Sequence, residues 1–168
     1  LLDTPNDGDY GLIETREDFY FSAEGDLPYF TRLWHLDESF TFNAWSIYPN
    51  QWYTSLTKPT DGPKIAIIDT GCDMDHPDFR NAGGATSDIS DGGQLDWSRS
   101  MQFRLGAIYE LGSPEDFHGH GTHVAGLALA SGNNGSFNGH GVIGIGYNAT
   151  GMILRVFDDQ GTGTDADA

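Results

Sequence analysis

Positive charge is scarce in this chain. Lys58 and Lys64 are the only lysines, and eight Lys or Arg stand against 25 Asp or Glu, a net charge of −17. Such a surface repels phosphate backbones and anionic lipid, so no nucleic-acid partner is expected. Excess acid suits a salty medium or calcium contacts as well as a plain solvated face, and charge alone does not choose among them. Cysteine is limited to Cys72, which excludes an internal disulfide framework and leaves the compartment open. A lone thiol reads first as a small buried apolar residue; a reactive thiol three residues after Asp69 is the alternative. No apolar run approaches the ~20 residues of a bilayer span, so no membrane span is expected. The chain opens Leu-Leu-Asp without a basic and then apolar segment, which places any targeting signal outside these residues.

At 168 residues the chain suffices for one ordinary domain, able to bury roughly two thirds of its unfolded surface. Its first 62 residues differ from the rest. Thirteen of the 21 aromatic residues fall between Tyr10 and Tyr53 without clean periodicity, which suggests an irregular arm packed over a core rather than a stacking surface for carbohydrate or peptide. Near the start, Asp3, Asp7, Gly8, Asp9 and Glu14 occupy positions of a calcium-loop template, but Pro5 stands where an oxygen ligand belongs. An Asx-rich turn is the simpler interpretation.

From Lys64 the pattern becomes α/β. Ile65, Ala66, Ile67 and Ile68 form an apolar run that stops at Asp69-Thr70-Gly71, as a buried parallel strand with a carboxylate at its carboxyl end would. Open α/β sheets place their sites there. After a Gly- and Asp-rich connection and a short element near Met101 to Tyr109, His120 opens a window of small and apolar residues that predicts a helix to about Ala130. A Gly- and Asn-rich loop follows, then the apolar run from Gly151 to Phe157, a second buried strand. Strand, helix and strand in this order imply a crossover within a mostly parallel sheet. The closing Gly161-Thr162-Gly163 resembles a turn before a further helix.

Asp69 and His120 are the two residues whose placement calls for chemistry. A hydroxyl or thiol nucleophile needs a base within hydrogen-bond reach, and the base needs a third group to fix its tautomer and stabilise its cation. A helix N-terminus disfavours an imidazolium, and a carboxylate on the other ring nitrogen offsets that effect. Without their flanks, a structural Asp and a satisfied core His remain the commoner interpretation.

The flanks carry more. Ile-Asp-Thr-Gly-Cys-Asp-Met-Asp-His-Pro-Asp-Phe at 68 to 79 resembles the segment around the catalytic aspartate of the subtilisin-like serine proteases, the subtilases. Asp-Phe-His-Gly-His-Gly-Thr-His-Val-Ala-Gly at 116 to 126 resembles their catalytic histidine segment. Weaker likeness begins at Tyr29-Phe-Thr-Arg-Leu-Trp-His-Leu and extends through Gly141 to Asp158, so the resemblance covers residues 29–168 and leaves 1–28 as an unassigned arm or linker. It implies a subtilisin-like α/β fold, incomplete here, with a mostly parallel sheet flanked by helices. It implies Asp69 as the residue that orients the imidazole and His120 as general base and then general acid, while His123 is a structural helix residue. Gly161, Thr162 and Gly163 resemble the edge on which subtilases lay an extended substrate. Asp78 matches a position that helps hold a structural calcium, with Asn133 and Asn134 as candidate partners in the loop after the helix. A protein or peptide substrate, a propeptide partner, a monomeric enzyme and a secreted location are further implications of the family.

None of the serines stands in the Gly-Thr-Ser-Met-Ala-like context of the family's nucleophile. Ser87 follows Ala85-Thr86 but precedes Asp88 and lies between the two motifs, so the nucleophile is expected after Ala168 and the 168 residues alone are expected to be inactive. Two alternatives compete. His118, His120 and His123 mimic the zinc motif of metallo-β-lactamase-like hydrolases, although Thr122 stands where that motif has Asp. A subtilase-derived binding module without catalysis is the other.

Overall fold

The computed structural model describes residues 36, 39–41, 44, 63–80, 85–104, 106–112, 114–131 and 142–164. The arm at 1–28, the acidic stretch at 3–14, Asn133 and Asn134 lie outside the described residues. The described chain forms β1 (Lys64–Asp69), β2 (Met101–Arg104), β3 (Ala107–Leu111), α1 (His120–Leu129) and β4 (Thr150–Arg155).

The strands make one mixed sheet in the order β1-β4-β2-β3. β1 and β4 run parallel, from Lys64 opposite Thr150 to Asp69 opposite Arg155. Parallel neighbours need a long crossover, and this one contains α1. β2 joins the other side of β4 in parallel, with Met101 opposite Leu154 and Gln102 opposite Arg155. The element expected near Met101 to Tyr109 is a hairpin: β2 turns back antiparallel into β3, with a register shift between Gln102 and Phe103. The sheet is therefore α/β as expected but carries an antiparallel edge.

One expectation is corrected. The run from Ile65 to Ile68 is not buried on both faces: Ile67 is in the core, whereas Ile68 is 51% exposed. Side chains alternate along a strand, and among the described residues a single helix covers a single face of β1. That helix presents Gly121, Ala125 and Leu129, spaced four residues apart on one stripe. Ala125 and Leu129 pack with Ile67, Ile153, Leu95, Met74 and Phe79 into the core. Cys72 belongs to the same cluster. Its burial, and then the charges of Asp73, Asp116 and Glu115, push the thiol pKa well up, so it is a packing residue and not a nucleophile.

Two glycines let α1 approach β1. A side chain on Gly121 would strike the carbonyl of Gly71 and come within 3.1 Å of Asp69 Oδ1. Gly71 has φ +115° and lies against the carbonyls of Pro114 and Glu115, so neither position admits a larger residue. The carboxyl end of α1 is closed by returning chain: Ile145, Gly146 and Gly144 donate to the carbonyls of Leu127, Ala128 and Ala130.

Packing of α1 on one face of β1 predicts unequal costs. Leu129→Ala should lower stability by about 2–5 kcal/mol, and Ile68→Ala by no more than about 0.5 kcal/mol, measured by urea unfolding of the intact protein. Equal losses would contradict the one-sided core.

Candidate active site

Asp69 ends β1 and is 8% exposed. Its Oδ1 accepts a hydrogen bond from the backbone N–H of Thr70 at 2.7 Å and lies 2.7 Å from Nδ1 of His120. Its carbonyl accepts from Val156 N at 2.9 Å, which carries the β1–β4 ladder one step beyond the strands. The carboxylate is thus held by one backbone donor, and the main chain that carries it is pinned to the end of β4. His120 is the first residue of α1. The helix is buried along its stripe, but the imidazole is 60% exposed, open to an incoming molecule on the side away from Asp69.

The hydrogen bond that Asp69 accepts, reinforced by its charge and more weakly by that of Asp116, holds the His120 imidazole above its ordinary pKa against the opposing effect of desolvation. A carboxylate on Nδ1 selects the tautomer with its proton on that atom, leaving Nε2 to accept one. The arrangement can therefore take up a proton at Nε2 and stabilise the cation that results.

The first turn of α1 lacks a capping side chain at Gly119, whose φ is +93°. Asp116 takes that role. Its Oδ2 accepts from Thr122 N and Thr122 Oγ1 at 2.8 and 2.7 Å, and its Oδ1 accepts from Gly119 N, His118 N and Thr70 Oγ1 at 2.9, 3.0 and 2.9 Å. Partial burial pushes its carboxyl up, but these hydrogen bonds outweigh it and hold the group well below the usual carboxylate range. Asp116 carried no assigned role in the sequence. Its signal was an acid four residues before the helix's first residue, which a short capping template does not register.

Arg155, at the end of β4 and 5% exposed, donates to the carbonyl of Glu115 at 2.6 Å and to Phe157 O at 3.2 Å, and pairs with Asp159. It ties the segment before α1 to the segment after β4. That second segment contains Gly161, Thr162 and Gly163, all exposed. Asp158 shapes it, with Oδ1 accepting from Gln160 N and Thr162 N at 2.9 Å each. Thr162 and Gly163 line a cavity of about 580 Å³ with Gln102, Arg104, Arg155 and Phe157. His118 stands between the two parts: its ring centroid is 6.3 Å from that of His120, and a side chain added at Gly161 would meet its Nε2 at 3.2 Å.

Asp78 is buried outside this cluster. Its carbonyl accepts from Ser131 N at 2.6 Å and its Oδ2 from Val142 N at 3.2 Å, so it clasps both ends of the loop that contains Asn133. Among the described residues, no group of three or more His, Cys, Asp or Glu side chains is disposed to hold a metal, and His118, His120 and His123 do not converge as zinc ligands. His123 points outward on α1. Ser87 is fully buried, donates to Met74 O and accepts from Trp97 Nε1 at 3.0 Å, a structural hydroxyl.

Residues 60–168 match the Subtilase family. The chain belongs to this family. A subtilisin from Bacillus sp. (strain TA39) is 36% identical over 118 residues, 70% of this chain and 24% of its own. A thermophilic serine proteinase from Bacillus sp. (strain AK1) is 31% identical over 142 residues, 82% of this chain and 30% of its own. The major intracellular serine protease of Bacillus subtilis (strain 168) is 36% identical over 99 residues, 58% of this chain and 24% of its own. Among solved structures, sphericase matches at 32% identity and a TM-score of 0.47, covering 73% of this chain and 34% of that one. The chain spans about a quarter to a third of the length of these curated subtilases. Since relatives include an intracellular protease, membership does not assign a compartment. No helix among the described residues is long and apolar enough to cross a membrane.

The Asp69–His120 contact sets a pH dependence. A raised imidazole pKa stabilises the fold below the ordinary imidazole value, and that contribution is lost as pH rises through the raised value. Asp69→Asn should therefore bring the His120 titration, followed by NMR, down to the ordinary range. The stability difference between wild type and variant should be larger at about pH 5.5 than at about pH 9. An unchanged titration would show that the contact does not govern the imidazole.

Proposed function

We propose that the whole protein is a subtilisin-like serine endopeptidase in which Asp69 and His120 serve a serine supplied from outside these 168 residues. The 2.7 Å contact between Asp69 Oδ1 and His120 Nδ1, inside a family match over 60–168, carries this proposal. With Nδ1–H donated to Asp69, Nε2 accepts the hydroxyl proton of the serine as it attacks a peptide carbonyl, and returns it to the leaving amine. Asp69 orients the ring throughout and stabilises the imidazolium without taking its proton. The upward shift of the His120 pKa, caused by the Asp69 hydrogen bond and charge, supports that division of labour, because it favours the cation. Peptide hydrolysis should accordingly increase with pH as His120 loses its proton in the free enzyme. Gly161, Thr162 and Gly163 are exposed beside the cavity, which suits an extended peptide lying along them; the N–H groups of Gly161 and Thr162 and the carbonyl of Thr162 are engaged by Asp158, so the peptide gains no ladder from those three groups. The chain's partial span of its relatives fits a serine contributed by further sequence, with the 168 residues alone inactive. Neither a zinc hydrolase nor a binding module gains an observation here.

The test uses the full-length protein. It should hydrolyse peptides and be labelled by a fluorophosphonate, and His120→Ala should slow both by about 10²- to 10⁴-fold. Equal labelling of wild type and variant would refute the assignment.

We also propose that the clasp at Asp78 is reinforced by a structural calcium shared with Asn133. The donor types fit, since carboxylate and amide oxygens are hard ligands. The ion would brace the loop after α1 and take no part in chemistry. Chelator should lower the melting temperature of wild type and calcium should restore it, with neither effect in Asp78→Ala; a chelator-insensitive wild type would remove the ion.

A further inference from the structure

We propose that Asp116 is a positioning residue for the Asp69–His120 pair: its carboxylate latches the first turn of α1 to the loop after β1, setting where the imidazole meets Asp69. This rests on reading that pair as base and orienting group.

Two threonines on opposite sides of the contact are wired alike. Thr70, beside Asp69, donates its hydroxyl proton to Asp116 Oδ1 at 2.9 Å and accepts the backbone N–H of Gly121, on α1, at 2.9 Å. Thr122, on α1, donates its hydroxyl proton to Asp116 Oδ2 at 2.7 Å and accepts the backbone N–H of Asp73, in the loop after β1, at 2.9 Å. Each hydroxyl gives its hydrogen to one carboxylate and offers a lone pair to the backbone of the opposite element. A hydroxyl has only one hydrogen, so an acceptor at Asp116 decides its direction. Reversing either would set donor against donor at Gly121 N or Asp73 N.

The latch encloses the site. Thr70 also donates its own N–H to Asp69 Oδ1, and Gly121 follows His120 directly. Movement of the first turn away from Thr70 would therefore lengthen the 2.7 Å contact between Asp69 and His120. The carboxylate suits its place because all five groups it meets are donors: two threonine hydroxyls and the backbone N–H groups of His118, Gly119 and Thr122. An amide in its place turns an NH₂ toward Thr122 N–H in one orientation, and toward His118 and Gly119 N–H in the other. Isosteric Asp116→Asn therefore breaks the latch without opening a cavity. The negative charge also adds to that of Asp69 in favouring the His120 cation.

The experiment uses the intact protein and reads the His120 NMR titration beside kcat and KM for peptide hydrolysis. Asp116→Asn should lower kcat by roughly 10- to 100-fold through misplacement of the base, leave KM within about twofold, and move the His120 titration down although Asp69 is untouched. Thr70→Val should reproduce the loss in kcat, and Thr70→Ser, which keeps the hydroxyl, should lose far less. A folded Asp116→Asn with wild-type kcat and wild-type titration overturns the proposal, as does a change confined to KM. If Asp116→Asn does not fold, the Thr70 pair decides, and equal kcat in Thr70→Val and Thr70→Ser overturns it. Should the wild type hydrolyse no peptide, the peptidase assignment fails by itself, and the His120 titration in Asp116→Asn still tests the latch.

Discussion

The carboxyl end of β1 and the amino end of α1 approach so closely that only backbone and short polar side chains fit between them. Gly71 and Gly121 make the approach sterically possible, and the Asp69–His120 hydrogen bond of 2.7 Å is its chemical product. The hydrophobic core sets the same geometry from behind. Ala125 and Leu129 dock α1 against Ile67 and Ile153, and the last carbonyls of the helix are taken up by the chain returning to β4. Packing settles which helix faces which strand, and the hydrogen bonds at the front settle the final fraction of an ångström.

Electrostatics at this junction oppose one another. The amino end of a helix disfavours an imidazolium, whereas Asp69 favours it through both hydrogen bond and charge, and Asp116 adds a weaker contribution of the same sign. The carboxylates prevail. Asp116 is itself held ionised by donors from Thr70 after β1 and, nearer in the chain, from residues 118–119 and Thr122, so its charge persists wherever the histidine titrates. One acidic side chain thus caps a helix, accepts from two hydroxyls and favours an imidazolium.

Much of this architecture was legible in the residues. The apolar runs ending at Asp69 and near Phe157 announced β1 and β4, and the small-residue window after His120 announced α1, because each is a contiguous stretch of one period. The β2–β3 hairpin was visible only as a short element, since Ile108, Tyr109 and Leu111 are exposed and no buried face stamps an alternating pattern on it. Ile68 misled for the opposite reason: its apolar character suggested burial, whereas it is 51% exposed on the face of β1 opposite Ile67 and α1. Asp69 and His120 stood out through their flanks, but Asp116 did not, because three of its five partners are backbone groups that any sequence supplies. At Asp78 the sequence suggested a calcium ligand; the brace on Ser131 and Val142 was not legible, because their contribution is again backbone.

The central claim, that Asp69 fixes His120 as a base with its free lone pair on Nε2, is most directly tested by nitrogen-15 NMR of the imidazole in the intact protein above its pKa. The account predicts a neutral ring protonated at Nδ1, hydrogen-bonded to Asp69, with Nε2 bare. A neutral ring carrying its proton on Nε2 would contradict it.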